Sequence, residues 1–192
     1  MAGCIKECTA FARFSTVRGC AIIEHGNSAR AAWLRGKDEC MEQTLDTIAA
    51  QATAVGEGGV AIVRVSGPAC VQAISRIFRP KNGMPLQNRM LTFGCVYDGE
   101  EIVDEAMAVL MRAPHSYTRE DVAEIHCHGS QALVGRILRL LLRTGVRMAK
   151  PGEFTYRAFI HGRIDLTQAE AVMRMIRAGS ERAMRSAVRQ ME

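Results

Sequence analysis

Several things are missing from this sequence, and each absence excludes a class of protein. No apolar run reaches the roughly 18 residues that read as a membrane span, and the leucine-rich stretch from Ile137 to Leu142 is interrupted by Arg139. No Cys-x-x-Cys pair occurs. The seven cysteines (Cys4, Cys8, Cys20, Cys40, Cys70, Cys95 and Cys127) are odd in number and irregular in spacing, so neither a zinc knuckle nor a redox motif is indicated and reduced thiols are expected. The first residues lack the basic-then-apolar order of a secretory leader, because Glu24 and scattered polar side chains break any apolar core. The phosphate-cradling pattern Gly-x-x-x-x-Gly-Lys-Ser/Thr is also missing.

What is present is globular in character. A hydrophobic fraction of 48% beside a charged fraction of 23% argues against wholesale disorder. A chain of 192 residues holds one medium domain, or one domain and part of another. The formal charge of +5 and pI near 9.0 are compatible with an anionic partner such as RNA or a polyglutamylated cofactor, although mildly basic surfaces are common.

Residues 1–40 carry four of the cysteines and show neither a period of 2 nor one of 3.6. They are expected to be a poorly ordered extension, with Met41 as the biological start. Beyond it, Asp46 to Thr53 reads as a strand, Ala54 to Gly59 as a glycine-rich turn, and Val60 to Val65 as a buried β-branched strand. Ser66-Gly67-Pro68 is expected to supply a cap and a first-turn proline for a helix over Ala69 to Phe78. Arg79 to Asn88 reads as a loop. Met90 to Tyr97 and Ile102 to Met111 form a hairpin about Asp98-Gly99-Glu100. A short strand over Val122 to Cys127 precedes a helix capped by Ser130, with Leu133, Ile137, Leu140 and Leu141 as its apolar stripe and Thr144-Gly145 as its stop. Val146 to Ala149 is a brief strand. Leu166 to Ile176 and Glu181 to Met191 read as helices whose apolar faces need a further surface, so a truncated helical segment is expected. The fold class is α+β, a mixed β-sheet with covering helices.

Two stretches are denser in special residues than folding requires: Ser116-Tyr117-Thr118-Arg119-Glu120-Asp121, and Pro151-Gly152-Glu153-Phe154-Thr155-Tyr156-Arg157 running on to Gly162-Arg163-Ile164-Asp165-Leu166-Thr167-Gln168-Ala169-Glu170-Ala171. With Asp46-Thr47-Ile48-Ala49-Ala50 and Gly58-Gly59-Val60-Ala61-Ile62-Val63-Arg64-Val65-Ser66-Gly67, they resemble the N-terminal region of the MnmE (TrmE) tRNA-modification GTPases over Met41 to Glu192. The resemblance implies a tetrahydrofolate-binding, aminomethyltransferase-like α/β domain over 41–162 that also dimerises, then the start of a helical domain at 163–192. It implies a reduced folate (5-formyl- or 5,10-methylene-tetrahydrofolate) as one-carbon donor, tRNA as substrate of the complete complex, a flavin-dependent partner protein and a cytoplasmic location. GTP, magnesium and potassium would belong to a GTPase domain that this sequence does not contain, so the chain alone is expected to bind without turnover and has no catalytic residue to nominate. Alternatives are a stand-alone folate-dependent aminomethyltransferase-like enzyme and a basic RNA-binding module. Departures from the family pattern are Ala54-Val55 for Pro-Pro, Glu57 at a usually small or basic position, Arg119 for a glycine and Arg163 for a lysine.

Three residues are candidates for folate contact. Arg64 lies inside an apolar strand, where an unpaired guanidinium is costly. Its planar fork suits a carboxylate of the folate tail, while an edge-strand arginine or a structural salt bridge would also satisfy it. Glu124, in mid-strand, aligns with the family's folate-binding glutamate. A carboxylate there can accept from the ring N–H and exocyclic amine of a pterin, although an outward strand glutamate is common. Arg163 aligns with a folate-contacting lysine, and a surface cation is the alternative. His126-Cys127-His128 places two histidines on one strand face without further ligands in evidence, so they are read as packing beside the pocket, with Gly129 permitting close backbone approach. Glu153 and Arg157 stand at i and i+4 and are expected to pair with each other.

Overall fold

The computed structural model describes residues 46–176, 180, 184–185 and 188–190, all within the unit that runs from Met41 to Glu192. The expectations for residues 1–40 lie outside the described residues, as does most of the helix expected over Glu181 to Met191.

Among the described residues seven strands form one mixed sheet: β1 (Ile48–Gln51), β2 (Gly58–Ser66), β3 (Phe78–Pro80), β4 (Thr92–Asp98), β5 (Glu101–Met111), β6 (Val122–Gly129) and β7 (Arg147–Met148). Their spatial order is β3-β4-β5-β6-β2-β1-β7. Only the short β1–β7 pairing is parallel; the remaining neighbours are antiparallel. The helices are α1 (Cys70–Ile77), α2 (Gln131–Arg143), α3 (Glu153–Ile160) and α4 (Leu166–Ile176). The α+β expectation of a mixed sheet with covering helices is met.

Period-2 alternation sorts the two central strands. Ala61, Val63 and Val65 of β2 and Ala123, Ile125 and Cys127 of β6 are buried with Ile74 and Ile77 of α1 and Ile137 and Leu141 of α2. Each fully buried aliphatic side chain contributes about 1.5–3 kcal/mol of transfer free energy. The intervening residues Ile62, Arg64, Glu124 and His126 face away from this core and are only half-buried.

Three local expectations are corrected. Pro68 does not open α1: the helix starts at Cys70 with Ala69 at its N-cap, and the Ala69 N–H donates to Thr47 Oγ1 at 2.8 Å. Ser66 remains the last residue of β2, its hydroxyl engaged by Thr118 and Glu120. Gly67 holds φ +130° where a Cβ would fall 2.6 Å from the Asp46 carbonyl oxygen, so this chain crossing admits no side chain. Second, Phe78 leaves the expected helix to begin β3, and Pro80, taken for loop, ends that edge strand, where a missing N–H is tolerated. Third, the buried stripe of α2 is Val134, Ile137, Leu140 and Leu141, with Leu133 only partly buried against it. Ser130 does occupy the N-cap position, but its side chain makes no cap hydrogen bond. The hairpin, the α2 stop at Thr144 and the bounds of α4 follow the pattern read from sequence.

Candidate functional site

The three residues singled out from sequence converge on one region. Antiparallel pairing puts Arg64 of β2 directly opposite Glu124 of β6. Arg64 Nε donates to Glu124 Oε1 at 2.8 Å and Nη2 reaches the same oxygen at 2.7 Å. The Glu124 side chain is 13% exposed and that of Arg64 27%, so the pair is shielded but open to solvent on one side. His126 Nε2 lies 3.3 Å from Glu124 Oε2, two residues along the same strand face. Gly129 does permit close approach, but to the start of β2: a Cβ there would fall 2.1 Å from the Gly58 carbonyl oxygen.

Two aromatic rings border the Arg64 guanidinium. Its central carbon is 5.4 Å from the Tyr117 ring centroid and 5.7 Å from that of Phe154. Arg163 comes to the same place from the turn after α3, its guanidinium carbon 4.7 Å from the Tyr117 centroid. All three distances lie within the range of cation–π attraction. The Tyr117 hydroxyl and Thr155 Oγ1 share a hydrogen bond of 3.1 Å, tying the loop after β5 to α3. Neither Tyr117 nor Phe154 was given a site role from sequence, although both stand in the two dense motifs. Their aromatic type at otherwise polar positions was the available signal.

Behind this surface lies an ion cluster that sequence reading caught only in part. The expected Glu153–Arg157 pair is present at 3.1 Å, but Arg157 is 1% exposed and bonds to much more. Its guanidinium donates to the Asp46 carbonyl at 2.8 Å, to Glu120 Oε1 at 3.0 Å, and to the Asp46 carboxylate. Arg147 bridges Asp46 Oδ2 and Glu153 Oε1, each at 2.6 Å. Glu120 Oε2 accepts from Ser66 Oγ at 2.6 Å. Burial opposes ionisation of Glu153, but hydrogen bonds from Arg147, the Lys150 N–H and Arg157 outweigh it and hold its pKa at about 2. Asp46 is lowered in the same way against its own burial, by Arg147 and Arg157. Partners 37 and 111 residues away in sequence leave no local pattern to read. The cluster joins the start of β1, the end of β2, the loop before β6, and α3.

The histidines do not converge on a common centre. His126 addresses Glu124, while His128 Nδ1 lies 2.7 Å from Asp104 Oδ1. Among the described residues no three His, Cys, Asp or Glu side chains are grouped to hold a metal ion. Nor, among them, is any helix long and apolar enough to cross a membrane.

With this geometry in view, a family model described as the GTP-binding protein TrmE N-terminus matches residues 47–163. The chain belongs to this family. Over 147 residues it is 54% identical to the tRNA modification GTPase MnmE of Symbiobacterium thermophilum, covering 74% of this chain and 32% of the relative. Identity is 51% over 148 residues to the MnmE of Listeria innocua and 50% over 149 residues to that of Bacillus cytotoxicus, each covering 77% of this chain and 32% of the relative. The chain thus spans about a third of the length of the curated relatives it matches. The TrmE N-terminal match runs from Thr47 to Arg163 and encloses the whole sheet, Arg64, Tyr117 and Glu124.

Proposed function

We propose that this domain binds a reduced folate, 5-formyl- or 5,10-methylene-tetrahydrofolate, as the one-carbon donor for C5 modification of a tRNA wobble uridine. The carrying observation is the Arg64–Glu124 pair, half-shielded on the sheet face and bordered by Tyr117, Phe154 and Arg163. This donor set fits the chemistry of a folate. Glu124 supplies a carboxylate acceptor for the pterin ring N–H and exocyclic amine. Arg64, 2.7 Å from that carboxylate, meets the same end of the ligand and orients Glu124 there; the glutamate tail, at the far end of the molecule, is beyond it. Tyr117 and Phe154 offer aromatic faces to the ligand's rings, and Arg163 adds a second positive charge beside Tyr117. Arg64 engages only Oε1 of Glu124, and a carboxylate has about four lone-pair sites, so Glu124 can accept from the pterin while it stays paired with Arg64.

In the same reading the domain homodimerises in the cytoplasm and serves a complete enzyme that hydrolyses GTP with magnesium and potassium in another domain. That enzyme acts on tRNA with a flavin-dependent partner. The family membership and the name of the relatives, tRNA modification GTPase, support this assignment. Titration calorimetry with 5-formyltetrahydrofolate tests the folate site: saturable heat with the folded chain is expected. Salt-sensitive tRNA binding with no folate heat would replace it by the RNA-module reading.

A further inference from the structure

Arg119 is one of two non-glycine residues with positive φ among the described residues, at +61°. The left-handed conformation is costly for a residue with a long side chain, so something must hold it there. Arg119 Nη1 donates to the His161 carbonyl at 3.1 Å. His161 is the C-cap of α3, where carbonyls lack intrahelical donors and the helix dipole favours a cation. The link is reciprocal, because His161 Nδ1 lies 2.6 Å from the carbonyl of Thr118, the preceding residue. A carbonyl only accepts, so Nδ1 carries the proton and donates.

These two bonds join the loop that carries Tyr117 to the turn that carries Arg163. The turn is itself tight. Gly162 holds φ +69°, and the Gly162 and Arg163 N–H groups donate to the Phe159 and Ala158 carbonyls at 3.0 and 2.9 Å. Arg163 leaves this turn with its guanidinium over Tyr117. Loop and turn therefore meet twice: at the backbone through Arg119 and His161, and at the site through Tyr117 and Arg163.

We infer that Arg119 is a positioning residue: its clasp on the His161 carbonyl fixes the Gly162–Arg163 turn so that Arg163 presents its charge beside Tyr117 to an anionic or electron-rich group of the ligand. The ligand part of this inference rests on the folate reading above; the clasp itself does not. The clasp converts a strained loop conformation into a constraint on a side chain 44 positions later in the sequence, which the sequence alone does not reveal.

The test uses the full chain with Arg119→Gly, Arg119→Ala and Arg119→Lys. Glycine accepts the left-handed backbone without cost, so Arg119→Gly removes the clasp while leaving the loop free to fold, and its melting temperature serves as the folding control. Hydrogen exchange read by mass spectrometry over the peptide at 158–166 should accelerate about fivefold or more in the Gly and Ala variants. Unchanged exchange would overturn the clasp whatever the folate result. Affinity for 5-formyltetrahydrofolate should fall roughly threefold to tenfold in the same variants, the range for losing one oriented hydrogen bond, and recover in part in Arg119→Lys, whose ammonium can still donate to the carbonyl. Faster exchange with undiminished affinity would overturn the positioning role. Faster exchange in a chain whose unmutated form binds no folate would overturn the folate reading and leave the clasp standing.

Discussion

Arg64 and Glu124 occupy opposing positions on β2 and β6 and bond through a single carboxylate oxygen, Glu124 Oε1. One carboxylate oxygen thereby satisfies an arginine placed within an otherwise apolar strand, while Oε2 is left to His126. The two residues assigned to opposite ends of a folate from sequence are each other's partners in the structure, so one folate is not held at both its ends by this pair. A charge reversal at Glu124 would set two cations against each other and disturb the sheet, so the neutral Glu124→Gln is the cleaner probe of the site.

Replacing Arg157 by methionine should destabilise the domain strongly. The guanidinium is buried against Asp46, Glu120 and Glu153, and removing it takes the paired cation from Glu120 and leaves Asp46 and Glu153 to Arg147 alone. A loss on the order of 3–5 kcal/mol is expected, read as a lower urea midpoint at unchanged slope. A loss under about 1 kcal/mol would show that the cluster behaves as an exposed network.

Acid should unfold the domain through the same cluster. Glu153 has its pKa lowered from 4.5 to about 2. Its stabilisation is therefore fully present above pH 4.5, where the unfolded chain also ionises it, and is lost as pH falls towards 2. The sign follows because the unfolded state binds the proton more readily in that window. Asp46 is shifted in the same direction and adds to the slope. The Glu153 contribution is roughly 3 kcal/mol. Stability measured by urea unfolding between pH 5 and 2 should show this slope, and Glu153→Gln should flatten it.

The thiols at 70 and 127 should resist alkylation. Burial pushes the Cys70 pKa up to about 12, and burial with the nearby Asp104 charge pushes that of Cys127 up to about 11. Little thiolate exists at pH 8, and thiolate is the reactive form. Iodoacetamide labelling with site-resolved mass spectrometry should leave both unmodified in the folded chain and label both in urea. Rapid labelling of either in the native state would contradict the packing of α1 and β6.

Much of the sheet could be read in advance because its signals are local. Val60 to Val65 is β-branched, Asp98-Gly99-Glu100 marks the hairpin, and the leucine period marks α2. Phe78 was misread because an apolar residue after Ile77 fits the end of a helix as well as the start of a strand, and only pairing with Val96 decides it. Ser66 and Pro68 look like a helix cap and a first turn, but the hydroxyl of Ser66 is claimed by Thr118 and Glu120, more than 50 residues away. At the site, Arg64, Glu124 and Arg163 were nominated through the family resemblance. The rings that border the two arginines, and the Arg119 link behind them, depend on loop-to-helix contacts that carry no sequence period.

The central claim is tested most directly by titrating 5-formyltetrahydrofolate into the unmutated chain and into Glu124→Gln, with circular dichroism showing both folded. Saturable binding that weakens about tenfold or more in the variant is expected, the range for losing a charged hydrogen-bond acceptor. Equal affinity in the two proteins, or no binding to the unmutated chain, would contradict it.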